Sequence, residues 1–465
     1  MYNMKNIAVI LSGGVGSRFG LSQPKQFAKL AGRSIIEYTV DCFEKTEVID
    51  EIIIVSQSNY HDSIWQLINK NNWKKISKIV HGGSERFYSS YSALKSLDGY
   101  DGNCNIMFHD AVRPLVNESI ISSCLNSLKD FEAVDVVIPS ADTLVEIQDD
   151  GCISNIPKRS MMRRGQTPQA FHLSTIKSAY DKAFSLGKVH FTCDCSVLRA
   201  MLPGVRVSTV NGHENNIKIT HPIDLFIAEK LLQEKTYHSE LISERYDFLC
   251  GKHIVIFGGS SGIGQEMMNL AKLYGANVNI ASRSYNGIDV ANMSDVEGYL
   301  NHIIKKDGEI DYIINTTGYL IKKPLDTLTT SEIMTSININ YLGVINVAIA
   351  SKNALSRTNG MLLNFSSSSY TRGRAFYALY SSSKAAVVNL TQALAEEWDQ
   401  DKIRVNCINP ERTATPMRQA NFGLEPEDSL LTPREVALKS LAVLGMNSTG
   451  VVIDVKKDNF RSDVI

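Results

Sequence analysis

The sequence predicts an α/β protein built from two doubly wound, mostly parallel-sheet domains. Three observations lead there. The chain has 465 residues, which at roughly 150 residues per domain means about three domains or two large α/β ones. Apolar runs rich in β-branched residues alternate with stretches of helical length, the pattern of βα units. Each half also opens with a strand, a glycine-rich loop and a helix, in that order.

In the first half, strands are predicted at 7–11, 52–55, 76–80, 105–108 and 134–138, and in the second at 253–257, 277–281, 312–315, 361–365 and 404–408. Between 143 and 159, Asp149-Asp150-Gly151 forms a turn between two alternating arms, which predicts a hairpin. Residues 234–251 are polar and charged. They set the expected division: a first domain 1–236, a linker 237–249 and a second domain 250–465.

The chain carries 48 Lys+Arg against 49 Asp+Glu, a formal net charge of -1. No global basic field would hold it to nucleic acid or to an anionic membrane, so neither is expected as a partner, and phosphate binding must be local. The N-terminal apolar run, 7–11, is too short for a signal-peptide core or a membrane span, so a cytoplasmic protein is expected. Eight cysteines without a CxxC pair are expected to be reduced thiols.

In the first half, Leu11-Ser12-Gly13-Gly14-Val15-Gly16-Ser17-Arg18 follows the first strand directly. Glycines there let backbone N–H groups approach a polyphosphate, and Arg18 adds a charge-assisted donor. Pro24-Lys25-Gln26-Phe27 places a lysine beyond the loop, and Gly82-Gly83-Ser84-Glu85-Arg86 opens a helix. His109-Asp110-Ala111-Val112-Arg113-Pro114 ends a strand. An aspartate at a strand's carboxyl end, in the crevice of an open sheet, is placed to hold Mg²⁺ on a nucleotide. Gln166-Thr167-Pro168-Gln169 and Asn216-Ile217-Lys218-Ile219-Thr220 follow.

In that order, these segments resemble the 2-C-methyl-D-erythritol 4-phosphate cytidylyltransferases and their CDP-ribitol pyrophosphorylase relatives, over about residues 5–234. The resemblance implies a nucleotidyltransferase-type fold with a β-arm, and attack of a polyol-phosphate oxygen on the α-phosphorus of CTP. It assigns Arg18, Lys25 and Lys218 to the transition state, Asp110 to Mg²⁺, and Ser12, Gly13, Gly14, Gly16, Gly83, Ser84 and Arg86 to CTP. It assigns Arg159, Thr192 and Asp194 to the polyol phosphate, with the 143–159 arm reaching across a homodimer. The sequence departs from the family at Ser12-Gly13-Gly14 and at Thr192-Cys193-Asp194-Cys195-Ser196.

The second half opens with Phe257-Gly258-Gly259-Ser260-Ser261-Gly262-Ile263-Gly264 between a strand and a helix, the requirement of a dinucleotide pyrophosphate. The next strand ends at Ala281-Ser282-Arg283 with no acidic residue for a ribose 2′-hydroxyl, and Arg283 suits a 2′-phosphate, favouring NADPH. Tyr380 and Lys384 share a helix face at i,i+4, so the ammonium is expected to depress the phenol pKa toward the working range. That spacing also occurs at Tyr91/Lys95 and Tyr319/Lys323. Context singles out Tyr380, because Ser367 ends the preceding strand and Asn340 lies in a helical stretch.

With Asp289, Asn315, Gly318 and Pro410, the half 250–456 resembles the short-chain dehydrogenase/reductases, which implies a Rossmann-like domain. Tyr380 is then the general acid, Ser367 its hydrogen-bond partner, Lys384 a contact of the nicotinamide ribose and Asn340 part of a proton relay. Gly258, Ser260, Ser261, Gly262, Ile263, Gly264, Arg283, Asp289, Asn315, Gly318 and Pro410 would hold the cofactor. Phe257, Thr316-Thr317 and Glu411 depart from the family's usual residues. Lys322, Lys323, Arg372, Arg374 and Arg412 are candidates for a substrate phosphate.

The two halves together resemble bifunctional ribulose-5-phosphate reductase/CDP-ribitol pyrophosphorylase enzymes, which supply activated ribitol for capsule polymers. The motifs leave other readings open: methylerythritol-phosphate cytidylyl transfer by the first half, or a non-catalytic NADPH-binding second half.

Overall fold

A computed structural model describes residues 4–14, 24–100, 103–239 and 246–457, with side chains of 233–239 excluded. Gly16 and Arg18 therefore lie outside the described residues. The chain divides into two compact units, Met1–Leu231 and Leu232–Ile465. Helix Pro222–Ser239 runs through the start of the expected linker, so that polar segment is partly helical.

The first unit holds an eight-stranded sheet. Its strands are β1 (Lys5–Leu11), β2 (Glu51–Ser56), β3 (Ile76–His81), β4 (Cys104–Asp110), β5 (Ala133–Pro139), β6 (Arg163–Gly165), β7 (Gln169–His172) and β8 (Val207–Asn211). The order is β6-β5-β7-β4-β1-β2-β3, with β8 also paired to β5. β3, β2, β1 and β4 run parallel, with Ile7 opposite Glu51 and Ile106. β7 enters antiparallel between β4 and β5, so the sheet is mixed beyond β4. Ile7, Val9, Ile53, Ile106 and Phe108 bury one face, and Ala8, Ile10, Ile52, Ile54 and Met107 the other. Such two-sided burial explains why these strands read as continuous apolar runs. The strands 163–165, 169–172 and 207–211 carry no such run and escaped the sequence reading.

The arm forms as expected. Glu146–Ile147 pairs antiparallel with Ile153–Asn155, and Gly151 takes a left-handed φ of 82° at the turn. It is exposed along its length, with Ile147, Ile153 and Met161 more than half accessible.

The second unit has six parallel strands: β9 (His253–Phe257), β10 (Asn277–Ala281), β11 (Tyr312–Asn315), β12 (Met361–Phe365), β13 (Arg404–Pro410) and β14 (Val452–Val455). Their order is β10-β9-β11-β12-β13-β14. The strand order reverses between β9 and β11, and a crevice at such a switch point is where open α/β sheets bind ligands. The helical run Thr330–Thr358 is long and apolar enough, by length and composition alone, to cross a membrane. It packs inside the unit instead, with Val344, Val347, Ala348, Ala354 and Leu355 buried.

Candidate active sites

In the first unit, the loop after β1 meets the loop after β3 backbone to backbone. A Cβ on Gly13 would lie 3.1 Å from Ser89 Oγ, and one on Gly82 3.3 Å from Gly13 Cα. A side chain at either would crowd that approach. Gln57 Nε2 then donates to the carbonyls of Gly13 and Gly83, at 3.2 Å each. Gln26 donates to the Ser12 carbonyl at 2.8 Å, tying the Lys25–Phe27 turn to the end of β1. Ser12 Oγ is buried without a hydrogen-bond partner among the described residues.

The centre of this site is Arg86, on the first turn of helix Arg86–Lys95. Its Nη1 donates to Asp110 Oδ1, and its Nη2 to Asp194 Oδ2 at 2.6 Å. Lys218 Nζ lies 3.0 Å from Asp110 Oδ2, and Arg113 Nε 3.5 Å from the same oxygen. Asn216 brings the lysine in: its Nδ2 donates to the Thr167 carbonyl at 2.9 Å, and its own carbonyl accepts from Arg113 Nη1 at 2.7 Å. Thr167 Oγ1 accepts from the Asp110 amide at 3.1 Å. Four of the motifs recognised in sequence order, at 82–86, 109–114, 166–169 and 216–220, thus meet around one carboxylate. Burial pushes the Asp110 carboxyl up, but Arg86, Lys218 and Arg113 outweigh it and hold it well below the usual carboxylate range. Burial weakens the Arg86 cation, and Asp194 and Asp110 more than restore it.

Three expectations change here. Asp110 does not fit the role of Mg²⁺ ligand, because both its oxygens already face cations. Among the described residues, no three His, Cys, Asp or Glu converge as a metal centre. Asp194 is fully buried, gripped by Arg86 and by Tyr180 OH at 2.7 Å, so it orients Arg86 and presents no free face to a polyol phosphate. Arg86, expected beside the base and ribose, has its two terminal nitrogens committed to these carboxylates. Ser84, Arg159 and Thr192 are exposed and form no hydrogen bond or ion pair with the cluster among the described residues. Gln57 and Tyr180 were missed, because their partners lie elsewhere along the chain and no local spacing marks them, and Arg113 was quoted in its motif without a role although Asp110 lies three residues before it.

In the second unit, Gly258 (φ 82°) turns the chain out of β9, and Gly264 lets helix Gly262–Leu273 close on it. A Cβ on Gly264 would lie 2.4 Å from the Gly258 carbonyl oxygen, and one on Gly258 2.7 Å from Thr316 Oγ1. Thr316 Oγ1 donates to the Phe257 carbonyl at 2.9 Å, and Thr317 Oγ1 to Asn315 Oδ1 at 2.6 Å. The departure at 316–317 therefore forms a hydroxyl clasp, onto the Phe257 backbone carbonyl and the Asn315 side chain, that holds the loop. Asn315 Nδ2 is buried without an acceptor. Beyond β10, Ser260 Oγ lies 3.2 Å from Ser284 Oγ, beside exposed Arg283, whose Nη1 is 3.9 Å from Asp289. These residues fit a dinucleotide: tight glycine turn, unmet amide donor, and a cation with hydroxyls at the end of β10.

Asn340 sits in a π-helical turn, Asn338–Leu342. Its amide exchanges two bonds with the Tyr319 backbone, at 2.7 and 2.8 Å, and so fixes the loop after Gly318. A Cβ on Gly318 would lie 3.8 Å from Asn340 Oδ1 and 3.9 Å from Lys384 Nζ, so these three residues meet. Ser367 caps the short turn Ser368–Thr371. Ser367, Tyr380, Pro410 and Ile263 all line one cavity of about 470 Å³, walled further by Tyr377, Met417 and Phe422.

One expectation is reversed. Burial pushes the Tyr380 phenol up to about 12, against the opposing hydrogen bond of Ser367. Lys384 does not lower it, because its Nζ turns to the Phe365 carbonyl at 2.8 Å. Burial instead brings the Lys384 ammonium down to about 8.

Comparison with known proteins matches each unit to a family. Residues 6–234 match the family of 2-C-methyl-D-erythritol 4-phosphate cytidylyltransferases, and residues 284–424 match the short chain dehydrogenases. A Haemophilus influenzae protein named bifunctional ribulose 5-phosphate reductase/CDP-ribitol pyrophosphorylase is 47% identical over 100% of this chain and 99% of its own length. A Thermobifida fusca 2-C-methyl-D-erythritol 4-phosphate cytidylyltransferase is 40% identical over 49% of this chain and 92% of its own. A Streptococcus agalactiae ribitol-5-phosphate cytidylyltransferase is 33% identical over 49% of this chain and 95% of its own. With both units matched in order and nearly half of all residues shared along the full length, the chain belongs to the family of bifunctional ribulose 5-phosphate reductase/CDP-ribitol pyrophosphorylases.

Proposed function

We propose that this protein makes CDP-ribitol in two steps: reduction of D-ribulose 5-phosphate to D-ribitol 5-phosphate with NADPH, then cytidylyl transfer from CTP with release of pyrophosphate. The observation that carries the reading is the joining, in one chain, of a serine–tyrosine pair at a cavity, with Lys384 on the helix of that tyrosine, and a cation cluster beside a glycine loop. Use of the product for capsule polymer fits the family.

In the reductase unit, NADPH supplies the hydride when bound. Tyr380 donates its phenolic proton to the carbonyl oxygen as that oxygen gains charge, and Ser367 orients the phenol and shares the oxygen. Lys384, as a cation at the Gly318 loop, is assigned to the nicotinamide ribose. Asn340 holds the loop against which the cofactor lies. Exposed Arg283, with the Ser260 and Ser284 hydroxyls beyond β10, favours a 2′-phosphate and hence NADPH over NADH.

In the transferase unit, a ribitol phosphate oxygen bonds to the α-phosphorus of CTP as the bond to pyrophosphate breaks. Charge builds on the phosphoryl oxygens, and Lys218, Lys25 and Arg18 are assigned to stabilise it. Ser12, Gly13 and Gly14 cradle the phosphates, with Arg86 and Asp110 setting the position of Lys218. The exposed apolar arm around Arg159 supports a homodimer in which each arm completes the other's polyol-phosphate site.

The test follows NADPH absorbance on adding ribulose 5-phosphate, with and without CTP supplied as its magnesium salt, and then measures product mass. NADPH oxidation is expected in both cases, with CDP-pentitol formed only when CTP is present. Transfer to methylerythritol phosphate without any ketose reduction would sink the proposal.

A pH dependence follows from Lys384. As pH rises through about 8, the ammonium loses its proton while Tyr380 keeps its own. The kcat/KM for reduction is therefore expected to fall by roughly tenfold per pH unit above that value. A profile flat to about pH 10 would show that the charge of Lys384 is not needed.

A further inference from the structure

The cavity at Tyr380 has a cationic side that proton and hydride transfer leave unused. Five basic residues lie in the surrounding loops, and the structure separates them. Lys323 is paired with Glu332. Lys322 lies over the Phe422 ring, 4.6 Å from its centroid. Lys322, Lys323 and Arg372 do not line the cavity, whereas Arg374 and Arg412 do. Arg418 also lines it, but it grips Glu425 with Nε at 2.6 Å and Nη2 at 2.9 Å and covers the Phe422 ring. It is part of the wall.

Arg374 is half-buried, and no carboxylate pairs with it among the described residues. Its backbone amide bonds Ser381 Oγ at 3.4 Å, on the residue after Tyr380, so it is tied to the catalytic helix. Arg412 is more exposed and stands 3.9 Å from Glu425. The carboxylate that shares the cavity, Glu411, accepts from the Lys457 amide at 3.1 Å. An anionic group would be steered from Glu411 toward Arg374.

We infer that Arg374 holds the phosphate of the ketose substrate in the reductase unit, with Arg412 as a second, outer contact. The inference rests on the reduction proposed above. A half-buried, unpaired guanidinium at the reacting pocket offers bidentate, charge-assisted bonds that a phosphate accepts and a neutral sugar does not. Anchoring the phosphate there sets which carbonyl of a phosphorylated ketose reaches Tyr380.

The experiment compares NADPH oxidation with ribulose 5-phosphate and with ribulose, for wild type, Arg374→Ala and Arg374→Lys, with NADPH binding by fluorescence as the check on folding. Arg374→Ala is expected to raise KM for ribulose 5-phosphate and to lower the preference for it over ribulose by roughly 10- to 100-fold, the range of a lost charge-assisted bond pair. Arg374→Lys should lose part of that preference, keeping charge without the planar fork. An unchanged preference in Arg374→Ala, with wild type active, overturns this inference alone. Wild type that reduces no ribulose 5-phosphate overturns the proposed reduction and this inference with it.

Discussion

Tyr380→Phe is expected to lower ribulose 5-phosphate reduction by roughly 10²- to 10⁴-fold, the usual share of a positioned general acid. The substitution keeps the ring and its packing beside Tyr377, whose centroid is 6.5 Å away, so the cavity wall survives. What disappears is the one hydroxyl placed to protonate the carbonyl oxygen and the hydrogen bond it shares with Ser367. Because that phenol is held near 12 in the absence of cofactor, it is a proton donor across the neutral range. NADPH binding should persist, and so should cytidylyl transfer onto supplied ribitol 5-phosphate. A variant that reduces the ketose at the wild-type rate would exclude Tyr380 as the acid.

Arg86→Ala is expected to abolish CDP-ribitol formation and to destabilise the first unit by about 3–5 kcal/mol, the cost of breaking a buried ion pair by removing one partner. Arg86 is the only described group that links Asp110 to Asp194. Without it, the fully buried Asp194 carboxylate keeps Tyr180 OH, and Asp110 is left to Lys218 and Arg113. The lysine expected to face the phosphates would lose its fixed anchor. Denaturant unfolding followed in parallel with both activities checks this, with reduction expected to remain. Loss of transfer with an unchanged unfolding midpoint would mean that Arg86 contacts the substrate directly.

Much of both sites could be read along the chain. The five strands named in each half all form, because residues such as Ile52 to Val55 or His253 to Phe257 are apolar on both faces of a buried sheet. The arm was legible from Asp149-Asp150-Gly151, since a turn needs a residue tolerant of positive φ. The strand Gln169–His172 was not, because it is short and reads as part of a polar motif. The Lys384 effect on Tyr380 was misread for a different reason. The i,i+4 spacing places two side chains on one face, but it does not say that a carbonyl at Phe365 will take the ammonium.

The sequence by itself determined the two α/β units, the glycine loops and the residues proposed to carry the chemistry, because these depend on local pattern and on residue type. Only the tertiary structure decided how those residues are used. Arg86 finds Asp194 across 108 residues of chain, Asp110 turns out to be surrounded by cations rather than open to a metal, and Arg374 is separated from Lys322, Lys323 and Arg372 by where the cavity lies. Ion pairing and protonation follow from burial and from distances through space, and those are set when the chain packs, not by spacing along it.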